Sequence, residues 1–338
     1  IQALLLTEPL SFACGQERLN GIGVGTVSVS SGARGKGYMQ LLLKTVREWL
    51  KEEGYAFAVL AGQRQRYEYW GYEPTGVKIC AEISPGNVKH ALNSSDLDED
   101  AIKEWEIVPM EETDPDTQKA WELFNSQPVH TVRKRENFVV HLRVGRGRPF
   151  LIRRGGEFAG YLSAVFHKGK VVVSELEVCN EAFFPVALKL FFQAQAPQGF
   201  EILLPSYQRE RLDLIERMAD GFHIRTDHSY YVADLKKVLA FSMEVKRRTC
   251  GLPDGKWEFA TQEGLYRCEA ENGSVRVVRE EIPAAGKRTE NGRTAVFTRD
   301  CGEMTRILFG PAAALWQNVP APAGWLPFPL YLPEVDAV

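Results

Sequence analysis

Along residues 39–53 apolar side chains return every three to four positions. Leu41, Leu42, Val46, Trp49 and Leu50 share a face, and Lys44, Arg47, Lys51 and Glu52 mostly cover the other. That period predicts a helix, with Gly54 as its stop signal. Upstream, residues 24–29 are β-branched behind a glycine-rich entry, which suits a strand. Residues 55–60 form a short apolar run bounded by glycines and read as a buried strand. Residues 1–83 therefore read as strand, strand, helix, strand, helix, strand, and such alternation implies a mostly parallel core sheet.

The polar, acidic stretch 93–100 reads as a linker, after which a second unit begins. Residues 150–153 and 158–166 flank Arg154-Gly155-Gly156-Glu157, a hairpin signal. A strand over 171–178, a helix over 181–195 and a strand over 201–204 repeat the order of the first unit, and residues 209–218 add a helix. A third unit runs from about Asp234. It has a helix over 238–248, strands near 266–269 and 274–279, a helix near 303–308 and a proline-rich tail. The expected class is α/β (α+β).

Composition narrows the function classes. The chain has 338 residues, 44% hydrophobic and 25% charged, with a net charge of −3. That length fits two or three domains. The charge argues against a nucleic acid or an anionic membrane as main partner. No apolar run reaches the ~18 residues of a membrane helix. Six scattered cysteines without a C-x-x-C pair fit reduced thiols in a cytoplasmic protein, and no metal-ligand spacing appears.

The informative stretch is 25–39, in which a strand leads through small residues and Arg34-Gly35-Lys36-Gly37 into a helix at Tyr38 and Met39. Backbone N–H groups at such a helix start bind phosphate, since unsatisfied donors and the positive dipole end converge on the anion. Arg34 and Lys36 add charge, and the glycines let the backbone approach. Two other motifs fail. Gly21-Ile22-Gly23-Val24-Gly25 has Thr26 where a dinucleotide fingerprint needs glycine. Gly35-Lys36 has Ser30 and Gly37 where a P-loop needs glycine and Ser/Thr.

The pattern Arg34, Gly37, Met39, preceded by Val27-Ser28-Val29, resembles the coenzyme A pyrophosphate loop of the GCN5-related N-acetyltransferase (GNAT) superfamily. About thirty residues on, Tyr67-Glu68-Tyr69-Trp70-Gly71-Tyr72 resembles that superfamily's Y-x-x-[FW]-G-[FY] signature. The resemblance extends to the enhanced intracellular survival (Eis) family. It implies tandem GNAT folds with mixed sheets flanked by helices, over 1–100 and, in degenerate form, 101–235. A sterol-carrier-protein-2-like α+β domain follows over 236–338. It further implies acetyl-CoA as co-substrate, direct attack by a primary amine, and no metal. The acceptor would be an aminoglycoside, a polyamine or a peptide lysine. The assembly would be a homo-oligomer, a hexamer by family precedent. A strand and two helices, about fifty residues by typical domain size, would precede Ile1.

On the same resemblance, the backbone of Val27, Ser28 and Val29 polarises the thioester, and Arg34, Gly35, Lys36, Gly37, Tyr38 and Met39 hold the pyrophosphate. Tyr67 protonates the departing thiolate, and the Val338 carboxylate takes the amine's proton. Tyr69, Trp70 and Tyr72 read as packing residues. Arg64 and Arg66 read either as phosphate contacts or as a solvated face. The cluster Arg133-Lys134-Arg135 with Arg143, Arg146 and Arg148 reads as a solvated face. The second unit's turn at 178–185 has no glycine pair and no basic residue, and its Glu181 would repel a pyrophosphate, so it is expected to bind no coenzyme and to shape the acceptor pocket or an oligomer contact. The tail alternates Trp325, Leu326, Phe328, Leu330, Tyr331 and Leu332 with prolines. Exposing that surface would be unfavourable by several times ~1.5 kcal/mol, so a docked tail is expected. A non-catalytic acyl-CoA sensor or scaffold is the competing reading. Lipid carriage ranks last, since residues 252–296 hold no long apolar stretch.

Overall fold

The computed structural model describes residues 1–93, 102–281 and 297–337. Most of the expected linker at 93–100 lies outside them. Among the described residues seventeen strands follow in chain order. Those to residue 109 are β1 (Ala3–Cys14), β2 (Glu17–Val29), β3 (Phe57–Leu60), β4 (Glu73–Thr75), β5 (Lys78–Ile83) and β6 (Trp105–Pro109). The middle set is β7 (Val129–Thr131), β8 (Gly147–Arg154), β9 (Glu157–His167), β10 (Lys170–Val178), β11 (Phe200–Pro205), β12 (Gly221–Arg225) and β13 (His228–Val232). The last four are β14 (Gly255–Thr261), β15 (Gly264–Glu271), β16 (Ser274–Glu280) and β17 (Phe297–Thr298).

Two compact units emerge. One comprises Ile1–Val77 with Thr226–Tyr331, the other Lys78–Arg225 with Leu332–Ala337. In the first unit the strands run β4-β13-β3-β2-β1, and a separate small sheet has the order β16-β15-β14-β17. The second unit carries β12-β5-β11-β10-β9-β8-β6. These sheets are mixed. Among the pairs formed within each unit by the described residues, only β2 with β3, β10 with β11, and β14 with β17 run parallel. The strand–helix alternation predicts a mostly parallel core, but a helix crossover makes just one parallel pair in each of the two larger sheets. Hairpins and returning strands supply the rest as antiparallel pairs.

Helix α1 (Tyr38–Glu52) forms as its period predicts, and the face it buries is Leu43, Val46 and Leu50. Leu41, expected in the core, is 60% exposed. Three consecutive leucines leave the face ambiguous, and the i, i+3, i+7 series through Leu43 places Leu41 outside it. The covered face packs on Ile22, Val24, Ala58 and Leu60.

The tail docks. Trp325, Phe328, Leu330, Leu332 and Val335 are buried. In the first unit the Lys246 ammonium, on the helix Leu235–Thr249, donates to the carbonyls of Trp325 (2.6 Å) and Pro327 (3.0 Å). Burial lowers its pKa. The Trp325 indole donates to the Pro253 carbonyl at 3.0 Å. Val338 lies outside the described residues.

The basic cluster does not behave as one solvated face. Arg133 is buried between the carboxylates of Glu175 and Asp336. Burial opposes its charge, but Asp336 and Glu175 more than offset that and raise its pKa well above the ordinary arginine value. Arg143 stays at the surface, paired with Glu111 and Glu112. Among the described residues no helix is long and apolar enough to cross a membrane.

Candidate active site

Among the described residues strand β2 is paired on both edges only in its middle. Gly21, Ile22 and Gly23 face Phe57, Ala58 and Val59 of β3. Beyond Gly23, residues 24–29 keep β1 on one edge and meet no strand on the other among the described residues. The opening coincides with a β-bulge, in which Leu6 faces Gly25 and Leu4 faces Ser28, so Thr26 and Val27 together oppose Leu5. Thr26 takes φ +50°, an uncommon value for a β-branched residue. An extra residue bends the strand and ends regular pairing. Val27, Ser28 and Val29 thereby carry backbone groups free to meet a ligand.

From β2 the chain makes a single 3₁₀ turn, Ser31–Ala33, and passes through Arg34, Gly35, Lys36 and Gly37, all exposed, into α1. Gly35 and Gly37 have φ +77° and +78°, a region where a Cβ is strained. Gly37 is the N-cap and offers no side chain to the first turn. The N–H groups of Tyr38, Met39 and Gln40 precede the first intrahelical bond, which Leu41 donates to the Gly37 carbonyl at 3.0 Å. A fifteen-residue helix thus presents an uncapped, positively polarised end beside two exposed cations.

Tyr67 closes the short helix Arg64–Tyr67, which follows β3. Its ring lies in the apolar cluster containing Val24, Leu43 and Tyr72, with Val27 and Met39 packed against it. That cluster joins the tyrosine to the bulge of β2 and the start of α1. A Cβ on Gly62 would sit 2.5 Å from the Tyr67 ring, so the ring rests against bare backbone there. Tyr72 meets it edge-on at 6.2 Å. The Tyr67 hydroxyl has no protein partner among the described residues.

The structure therefore places Val27 and Met39 against one apolar cluster with Tyr67, and Ser28, Val29 and residues 34–38 adjoin them along the chain. It leaves Val338 outside the described residues. Arg64 is engaged with Glu68 at 3.1 Å, while Arg66 is exposed. Of the three expected packing aromatics, Tyr72 is buried and Trp70 half-buried, but Tyr69 is 82% exposed. The 3₁₀ turn Glu68–Trp70 points it away from the core. Burial raises the Tyr72 pKa, so the hydroxyl stays protonated, and it has no hydrogen-bond partner among the described residues. Sequence reasoning missed the bulge at Thr26 and the seat at Gly62. A glycine five residues before Tyr67 was the available signal for the seat.

The second unit repeats the geometry with different contents. Strand β10 pairs with β11 only at Val172 and Val173, and a bulge follows at Ser174. Arg211 fills the opened edge, donating to the Leu176 carbonyl at 2.7 Å, to Glu177 at 2.8 Å and to Glu181 at 2.7 Å. The turn expected to lack a basic residue thus acquires one from the helix Arg209–Glu216. Asn180 caps the turn by accepting from the Ala182 N–H at 3.0 Å.

Residues 5–76 match the family model of the GNAT acetyltransferase domain. No curated protein sequence matches the chain. Solved structures with a similar fold include a GCN5-related N-acetyltransferase from Kribbella flavida. It is 17% identical, with 83% of this chain and 71% of that one covered and a TM-score of 0.56. A conserved protein of Enterococcus faecalis V583, described as a probable N-acyltransferase, is 15% identical over 91% and 76% of the two chains, at 0.60. Eis1 from Mycobacterium abscessus is 10% identical over 90% and 76%, at 0.58. The chain thus carries a GNAT acetyltransferase domain near its start and has the fold of GNAT N-acetyltransferases.

Proposed function

We propose that the protein transfers an acetyl group from acetyl-CoA to a primary amine. The observation that carries this reading is the bulged, half-unpaired β2 running into the uncapped end of α1, inside the segment that matches the GNAT domain. The exposed Arg34 and Lys36, the two positive-φ glycines and the free first-turn N–H groups suit a diphosphate. The open edge at residues 27–29 suits a thioester carbonyl, which a backbone N–H would polarise.

In the reaction the neutral amine nitrogen attacks the thioester carbonyl carbon, the C–N bond forms and the C–S bond breaks. The departing thiolate takes the Tyr67 hydroxyl proton, giving free coenzyme A, and the proton that the attacking nitrogen sheds on becoming an amide restores the Tyr67 hydroxyl. Before attack, the ammonium form of the amine gives a proton to the Val338 carboxylate in the role the family resemblance assigns. The acceptor class is a cationic amine, whether aminoglycoside, polyamine or lysine side chain. By the same resemblance, the segment from 236 is proposed as sterol-carrier-like and the working assembly as a homo-oligomer. With Arg211, Glu181 and the Asn180 cap occupying its turn, the second unit is proposed to take no coenzyme.

The test is coenzyme A release, followed with a thiol-reactive chromophore against an aminoglycoside, a polyamine and a lysine peptide. Turnover with at least one is expected. Acetyl-CoA binding without turnover on any amine would favour the sensor reading, and absence of both would end the enzyme reading. Gly37→Ala is expected to raise the KM for acetyl-CoA about tenfold, the equivalent of ~1.4 kcal/mol. A left-handed non-glycine residue costs ~1–2 kcal/mol, and relaxing it would turn the first N–H groups away. Unchanged KM would remove that turn from the binding site.

A further inference from the structure

Arg133 sits 1% exposed at its side chain, in the middle of the second unit. One edge of its guanidinium grips Glu175, from Nη1 to Oε1 at 2.8 Å and from Nη2 to Oε2 at 2.6 Å. The other edge grips Asp336, from Nε to Oδ1 at 2.8 Å and from Nη2 to Oδ2 at 2.7 Å. The plane lies over the Phe124 ring at 3.8 Å. Thr131 Oγ1 donates to Asp336 Oδ2 at 2.7 Å, and Tyr161 Oη donates to Glu175 Oε1 at 2.8 Å. The two carboxylate partners differ in kind. Glu175 belongs to β10, whereas Asp336 belongs to the 3₁₀ turn Glu334–Asp336 of the tail.

A buried ion cluster adds little stability compared with apolar side chains of the same volume, because desolvation offsets the attraction. What it adds is direction. Leu332 and Val335 are buried, yet apolar contacts, being non-directional, do not fix a register by themselves. A planar fork bound on two edges admits one register. The ion pair of Lys78 with Glu334 supports the same placement.

We infer that Arg133 is a positioning residue for the tail: it locks Asp336 to β10 and so fixes the segment Leu332–Ala337, to which Val338 is bonded. Its consequence for acetyl transfer rests on the reading above, in which the terminal carboxylate accepts the amine's proton. Arg133 itself touches no reacting atom.

Asp336→Ala in the full chain tests this, because Arg133 keeps Glu175 and no buried carboxylate is left alone. Hydrogen exchange in the segment 332–337 is expected to accelerate about 10–100-fold, the loss of a charge-assisted bond set, while β8, β9 and β10 stay protected. In coenzyme A release, kcat is expected to fall at least about tenfold with the KM for acetyl-CoA unchanged, a split that general loosening would not produce. Thr131→Val removes one hydroxyl bond and should show a smaller shift of the same kind, so the test survives if Asp336→Ala folds poorly. Unaltered exchange in 332–337 overturns the latch. A freed tail with unaltered kcat overturns the positioning role. A wild-type chain without turnover ends the acetyl-transfer reading, and the exchange measurement then decides the latch by itself.

Discussion

Tyr67→Phe is expected to lower kcat by about 10²–10⁴-fold, the range for loss of a positioned proton donor. The substitution isolates chemistry from folding for two structural reasons. The ring rests against Gly62 and meets Tyr72 edge-on, contacts that phenylalanine retains. The hydroxyl has no protein partner among the described residues, so its removal leaves no buried acceptor unpaired and costs little stability. The KM for acetyl-CoA should stay near the wild-type value, because the diphosphate would be held at residues 34–39. Steady-state kinetics with the best amine give both parameters. A kcat within threefold of wild type would mean that the thiolate leaves unprotonated or takes its proton from water.

Arg133→Met is expected to destabilise the second unit by about 3–5 kcal/mol, the cost of leaving buried charges uncompensated. Glu175 and Asp336 have side chains only 6% and 3% exposed. Without the guanidinium two buried carboxylates are left facing each other's charge uncompensated. Asp336→Ala keeps Arg133 paired with Glu175 and should cost clearly less, so the ordering of the two variants is itself diagnostic. Urea unfolding monitored within residues 78–225 measures both. A loss below about 1 kcal/mol for Arg133→Met would show that water reaches the cluster.

What the sequence made legible followed from local rules. The helix after Gly37 and the strand before Ser30 announce themselves by period and composition, and the hairpin around Gly155-Gly156 by its turn. The tail's alternation of aromatics and prolines signalled burial, because so much apolar surface does not stay in water. The candidate site was proposed where its residues lie close together in the chain, as in 27–39 and at Tyr67. Arg133 was not readable. It stands beside Lys134 and Arg135 like a surface charge run, and its partners lie 42 and 203 residues away. Nor did Leu41-Leu42-Leu43 say which leucine would turn inward, since that depends on what the helix packs against. The opening in β2 escaped as well, because a bulge is a property of two strands and Thr26 carries no mark of it.

The placing of β13 has a consequence for how the protein is made. This strand, formed by His228–Val232, lies between β3 and β4 and pairs with both. A nascent chain that has delivered β1 through β4 still lacks the strand joining the last two. At about 5–20 residues per second, the ribosome needs about 8–30 s more to supply it. During that interval Phe57, Ala58, Val59 and Leu60 offer an unpaired apolar edge, a surface that chaperones bind and that neighbouring chains can join. The segment carrying the candidate active site is translated well before the strand that completes its sheet.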